Sequence, residues 1–195
     1  MGKRRKFERK VPFLNYRKLF VLATEGAETE PQYFYLFNSK TTTITVRCLR
    51  SSTDSDPIHV LKRMKRYLQS NRLNPDDHAW LVVDKDQWTD EQLAQLHAWA
   101  QSDEQYGLAV STPCFELWLL LHFDDGNGLA THRQCRERLK RHLPSYDKDH
   151  LETAKLIPGI AAAIERARLK DNPPCTDWPR TTGTTVYRLV VKLQG

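Results

Sequence analysis

Apolar residues along this chain gather into short uninterrupted blocks, and amphipathic stretches separate one block from the next. That alternation predicts strands buried on both faces with helical crossovers between them, hence a mostly parallel sheet. The clearest block, Ala79-Trp80-Leu81-Val82-Val83, is bounded by Asp76-Asp77 before it and by Asp84-Lys85-Asp86 after it. Further strands are predicted over residues 18–24 and 106–110, and residues 43–49 alternate with period two and are rich in β-branched side chains.

Helices fall between these blocks. Residues 30–37 are rich in aromatics and open with Thr29 as N-cap and Pro31 in the first turn. Asp56-Pro57 opens a helix to about Arg72, with Ile58, Leu61, Met64 or Lys65, and Leu68 near a 3.6-residue period. Residues 89–101 place Leu93, Leu96 and Trp99 or Ala100 on one face behind Thr89 as cap. Pro113 starts a helix that is apolar almost all round, through Phe115 to Leu121, and therefore buried; His122 ends it as a packed or capping residue. Asp124-Asp125-Gly126-Asn127-Gly128 reads as the linker to a helical half. There, a basic helix runs from Thr131 to His142, an Ala-rich one covers residues 151–170, and Asn172-Pro173-Pro174 breaks it. Residues 184–193 are read as a last helix capped by Thr181 or Thr182, although propensity alone favours a strand. The predicted fold class is α/β. Residues 17–123 form the core, 124–195 an α-helical C-terminal extension packed on it, and 1–16 a basic arm.

Composition narrows the class. The 195 residues are 39% hydrophobic and 28% charged, ordinary for a soluble globular protein, and no apolar run approaches the length of a bilayer span. The N-terminal charges have no apolar core behind them, so a secretory signal is not expected. Cys48, Cys114, Cys135 and Cys175 are widely spaced, a pattern that suits a reducing cytoplasm and argues against a structural zinc site. The net charge of +6 sits in the arm, where Lys3, Arg4, Arg5 and Lys6 begin a cluster opposed only by Glu8. Such an arm suits a phosphate backbone or a solvated leader equally. The second basic stretch, with Arg133, Arg136, Lys140 and Arg141, is a solvated helix face by default and the better candidate for phosphate contacts.

The acids carry the chemistry. Asp84 and Asp86 stand where a central strand leaves the sheet, and alternate residues of an extended chain point the same way. Two carboxylates held close favour a hard cation such as Mg²⁺ or Mn²⁺ between them; the structural alternative is that they end a strand and cap the next helix. Strand one also ends in acids, Thr24-Glu25-Gly26-Ala27-Glu28-Thr29-Glu30, and in a parallel sheet its end faces the same edge. Glu25, Glu30, Asp84 and Asp86 then form the set a metal-assisted phosphodiester cleavage needs. Glu28 and Glu30 are also explained by favourable charge at a helix start. Glu116 lies in the first turn of the buried helix near the same edge, where an unpaired acid is costly. Cys114 reads as small buried packing and Ser111 as a hydroxyl near the site.

Three segments carry a family resemblance. They are Thr24-Glu25-Gly26-x-x-Thr29-Glu30-Pro31-x-Tyr33-Phe34, Asp84-x-Asp86, and Pro113-Cys114-Phe115-Glu116-Leu117-Trp118-Leu119-Leu120-Leu121-His122-Phe123. With Tyr146-Asp147-Lys148 and Thr184-Thr185-Val186-Tyr187-Arg188-Leu189-Val190, they resemble the RloB family over nearly the whole chain after the arm. The resemblance implies a small prokaryotic protein of restriction or phage-defence loci, often beside an AAA/ABC-type ATPase. The glutamate after strand one and the Asp-x-Asp after strand three also look like the Toprim fold of topoisomerases, primases and OLD-family nucleases. In that pattern the first glutamate binds metal or acts in acid/base chemistry and the Asp pair binds Mg²⁺. By resemblance to OLD-type sites, Lys148 would steady transition-state charge. Glu30 lies one residue further from Glu25 than the second glutamate of those nucleases.

The leading expectation is a Mg²⁺- or Mn²⁺-dependent nuclease acting on DNA or RNA (tRNA included) as effector of an anti-phage system. Glu30, Asp84 and Asp86 would hold metal, with Glu25, Glu116 and Lys148 in catalytic roles. The alternative is a non-catalytic regulatory or scaffold subunit that binds the ATPase partner or nucleic acid. A primase-like nucleotidyl transfer is the third reading, and a homodimer is an assembly that the sequence leaves open.

Overall fold

The computed structural model describes residues 17–38, 42–50, 57–85 and 88–195. Asp86, the arm residues Lys3, Arg4, Arg5 and Lys6, and the helix opener Asp56 lie outside them.

The elements follow the predicted alternation: β1 Lys18–Thr24, α1 Thr29–Phe34, β2 Ile44–Cys48, α2 Pro57–Ser70, β3 His78–Asp84, α3 Asp90–Ala100 and β4 Tyr106–Thr112. Then come α4 Phe115–Leu120, α5 His132–His142, α6 Thr153–Leu156, α7 Ile160–Lys170, β5 Gly183–Thr184 and α8 Val186–Gln194. Among the described residues the sheet has five strands in the order β2-β1-β3-β4-β5. The first three pairings are parallel and β5 joins β4 antiparallel. No helix among the described residues is long and apolar enough to cross a membrane.

Side-chain alternation along the strands builds two cores. Phe20, Leu22, Trp80, Val82 and Ala109 face one layer, where they pack with α1, α4, α7 and α8. Val21, Ala23, Leu81, Val83 and Val110 face the other and meet Leu61 and Met64 of α2 and Leu93, Leu96 and Trp99 of α3. Both faces are covered, which is why these strands read as unbroken apolar runs. Trp80 and Gly107 are register partners on β3 and β4, and a Cβ at Gly107 would overlap the Trp80 indole. The glycine is there to admit the ring.

Several local expectations need correction. Thr29 is not the N-cap of α1: Glu28 holds that position, and the Thr29 hydroxyl donates instead to the Lys148 carbonyl at 3.0 Å. The helix predicted through Phe37 tightens into a 3₁₀ turn over Tyr35–Phe37. The long C-terminal helix is divided into α6 and α7 by a 3₁₀ turn at Ile157–Gly159, because Pro158 cannot donate to a continuing helix. The last helix starts later than expected. Gly183–Thr184 pairs with β4, Thr185 rather than Thr181 or Thr182 precedes α8, and the Thr182 hydroxyl donates to the Leu129 carbonyl at 2.5 Å. Thr89 caps α3 as expected, and the structure adds Thr131 as the cap of α5; each is paired with a reciprocal glutamine three residues on.

Candidate functional site

Strand order places the site. The chain leaves β1 for β2 on one side and returns to β3 on the other, so the direction of winding reverses between β1 and β3. A crevice opens at such a reversal, outside the carboxyl ends of the strands. Glu25 follows β1 and Asp84 ends β3. A cleft of about 460 Å³ lies there, lined by Glu25, Gly26, Glu28, Glu30, Asp84, Glu116, His132 and Lys148 among others.

Each of the three glutamates is held by defined partners. One oxygen of Glu25 accepts from the Asp84 backbone N–H at 3.1 Å and from the Trp88 indole N–H at 2.9 Å, which ties the end of β1 to the loop after β3. The turn after β1 is closed by the Thr24 hydroxyl, which donates to the Gly26 carbonyl at 2.8 Å. The Gly26 N–H donates to Glu30 Oε1 at 3.0 Å, and a Cβ on Gly26 would overlap that carboxylate. Glycine is therefore needed for Glu30 to fold back over the turn. Glu116 is buried in the first turn of α4, where its Oε1 meets His132 Nε2 at 3.0 Å and accepts from the Tyr146 hydroxyl at 3.2 Å.

The electrostatics divide the two buried glutamates. Burial pushes the Glu30 carboxyl up to about 7 against the help of its own and Gly26's backbone N–H groups, and the charges of Glu116 and Glu25 push the same way. Burial also opposes ionisation of Glu116, but the hydrogen bond and charge of His132 outweigh it, and that carboxyl falls below its ordinary value. One buried acid is thus held ionised by an imidazole while its neighbour keeps a proton near neutrality. Folded Glu30 binds a proton more tightly than the unfolded chain, so the stability it contributes is complete below its ordinary value of 4.5 and is lost as pH rises through about 7. Glu30→Gln, which mimics the protonated form, should gain stability relative to the wild type across that window. Urea denaturation at stepped pH measures the difference, and a difference independent of pH would contradict the assignment.

Lys148 reaches the cleft through backbone anchoring. Thr29 and Gln32 both donate to its carbonyl, at 3.0 and 3.3 Å, and the Leu151 N–H donates to Gln32 Oε1 at 3.0 Å. These bonds fasten the 147–150 turn to α1.

The structure therefore brings Glu25, Glu30, Asp84, Glu116 and Lys148 into one cleft. Of the predicted basic face, Arg133, Lys140 and Arg141 are exposed, while Arg136 is half-buried and pairs with Asp147 at 3.6 Å. Arg133 pairs with Glu137 at 3.6 Å within α5. Ser111 is buried and bonds Thr184 at 2.9 Å, so its hydroxyl joins β4 to β5. His122 is packed as expected, with Tyr33 and Trp118 as hydrogen-bond partners. Sequence reasoning missed His132. It falls within the predicted basic helix, yet it is the first residue of α5 and its imidazole turns in to Glu116. The signal was the cap at Thr131, which fixes where that helix starts.

A mostly parallel five-stranded sheet flanked by helices, with an acid-lined cleft at its reversal point, defines the class: an α/β protein whose candidate site lies at the carboxyl edge. A family model for RloB-like proteins matches residues 20–193, and the chain belongs to that family. Comparison with curated proteins and with solved structures gives no match.

Proposed function

We propose that the protein is a Mg²⁺- or Mn²⁺-dependent nuclease with a Toprim-like site, serving as the effector of an anti-phage defence system. The observation that carries the reading is the convergence of Glu25, Glu30, Asp84 and Glu116 on one cleft at the reversal of the sheet. The donors suit the ion: all are carboxylate oxygens, the hard ligands that Mg²⁺ and Mn²⁺ prefer. A Glu30 carboxyl raised by burial and by its acidic neighbours fits the same reading, because a divalent cation would relieve the repulsion that raises it.

In this proposal Glu30, Asp84 and Asp86 hold the ion, and Glu25 binds it or moves the proton of the attacking water. A bound divalent cation supplies Lewis acidity for that water and charge for the leaving oxygen. Glu25 is positioned for its part by Trp88 and the Asp84 backbone, so its carboxylate needs little reorganisation during reaction. Lys148, which lines the same cleft, would steady developing negative charge. Glu116 closes the site and is kept ionised by His132. The exposed Arg133, Lys140 and Arg141 of α5 and the arm residues Lys3, Arg4, Arg5 and Lys6 would hold the phosphate backbone. An AAA/ABC-type ATPase partner and a cytoplasmic location belong to the same proposal.

The test is incubation of end-labelled duplex DNA, single-stranded DNA and tRNA with the full chain, with Mg²⁺ or Mn²⁺ and with EDTA. Cation-dependent cleavage of one class is expected. No cleavage of any class, with or without the ATPase, would favour the scaffold reading.

A further inference from the structure

Behind the acid cleft, two segments meet that the nuclease reading leaves largely unused. Cys114 precedes α4 and His132 opens α5, helices that pack against each other. One ligand atom each from Cys114, Glu116 and His132 lies within 4.8 Å of the other two. Cys135 stands one helical turn beyond His132, is buried, and its thiol interacts with that of Cys114. In sequence the four read Cys114-x-Glu116 and His132-x-x-Cys135: two short pairs that α4 and α5 bring face to face.

We propose that Cys114, Glu116 and His132, with Cys135 as fourth ligand, form a site for a thiophilic divalent cation of the Zn²⁺ class, separate from the Mg²⁺ position. Thiolate, imidazole and carboxylate are the ligand set of tetrahedral zinc, whereas Mg²⁺ has no use for sulfur or imidazole. A tetrahedral ion with bonds of about 2.0–2.3 Å keeps its ligand atoms roughly 3.3–3.7 Å apart. The Cys114, Glu116 and His132 atoms, all within 4.8 Å of one another, need a contraction of at most about 1 Å, within reach of side-chain rotation. The supporting shell is in place, since the Tyr146 hydroxyl donates to Glu116. Entry is open as well, since Glu116 and His132 also line the cleft.

Binding would replace the proton on Cys114 Sγ by a metal–sulfur bond, with the proton released to solvent through the cleft. The second proton, that of Cys135, leaves in the same way when its sulfur joins. Such a cation would clamp α4 to α5 and fix Glu116 at the wall of the acid site. It shares Glu116 with the acid cleft, but the ligands that set the two sites apart differ: Cys114 and His132 here, Asp84 and Glu30 there.

Titration of Co²⁺ into the reduced full chain reports on it through the absorption band of thiolate-to-cobalt charge transfer, which Zn²⁺ should then displace. One equivalent is expected to saturate the band in the wild type and in Asp84→Asn. Cys114→Ser and His132→Gln should each weaken binding by at least about tenfold. Because Cys114 is buried, circular dichroism checks the fold of that variant; His132, half-exposed at a helix start, gives the second reading. No charge-transfer band in the wild type would overturn the proposal, and so would a band that neither substitution changes. Loss of Mg²⁺ binding in Asp84→Asn with the cobalt band intact would separate the two sites.

Discussion

Replacing Glu25 by glutamine is expected to lower cation-dependent cleavage by at least about a hundredfold, since residues that merely orient metal ligands already cost ten- to a hundredfold. The substitution is close to isosteric. The amide oxygen of glutamine can still accept from the Trp88 indole or the Asp84 N–H, the two bonds that hold the carboxylate now. The fold should therefore survive, with a melting temperature within a few degrees of the wild type. Only the negative charge is lost, and with it the ability to bind a cation or take a proton. Single-turnover assays on the substrate that the wild type cuts measure the effect. Wild-type cleavage by Glu25→Gln would remove Glu25 from the chemistry.

The largest expected loss of stability lies at the far end of the chain. Asp171, just past α7, is buried with its side chain only 3% exposed. Its oxygens accept from Arg188 at 2.7 Å, from the Tyr187 hydroxyl at 2.8 Å and from the Cys175 N–H at 2.8 Å. Arg188 and Tyr187 belong to α8, so this one carboxylate fastens the last helix to the segment that leads to β5. Asp171→Ala removes the acceptor of three donors at once, leaving Arg188 only its bond to the Cys175 carbonyl at 2.7 Å among the strong ones. Breaking a buried ion pair costs about 3–5 kcal/mol, and because the Arg188 side chain keeps 30% exposure the loss here should be about 2–3 kcal/mol. A urea transition shifted to lower concentration with unchanged slope is the expected record. A loss below about 0.5 kcal/mol, the range of an ordinary surface change, would mean that the network adds little.

Legibility in the sequence followed the physics of each signal. The core strands were readable because β1, β3 and β4 are buried on both faces and so spell continuous apolar runs. Thr89 was readable as a cap because a local rule, hydroxyl here and glutamine three residues later, decides it; Thr131 obeys the same rule in the structure. Thr29 was not, because a distant carbonyl, Lys148's, competes for its hydroxyl. β5 was hidden for a similar reason: two residues carry no periodicity, and only pairing with β4 makes Gly183–Thr184 a strand. The acids of the cleft could be placed from strand ends alone, since a parallel sheet sends them all to one edge. Their division of labour could not, because it depends on His132 reaching Glu116 across the space between two helices. The same is true of Cys114, Glu116 and His132, whose linear spacing gave no metal pattern.

Calorimetric titration of Mn²⁺ or Mg²⁺ into the wild type and into Asp84→Asn asks whether the cleft binds a hard divalent cation through its carboxylates. Saturable binding in the wild type that weakens by at least about a hundredfold in the variant is predicted, given that a lost ligand costs more than a lost orienting residue. Equal affinity in the two proteins, or no binding to the wild type, would contradict it.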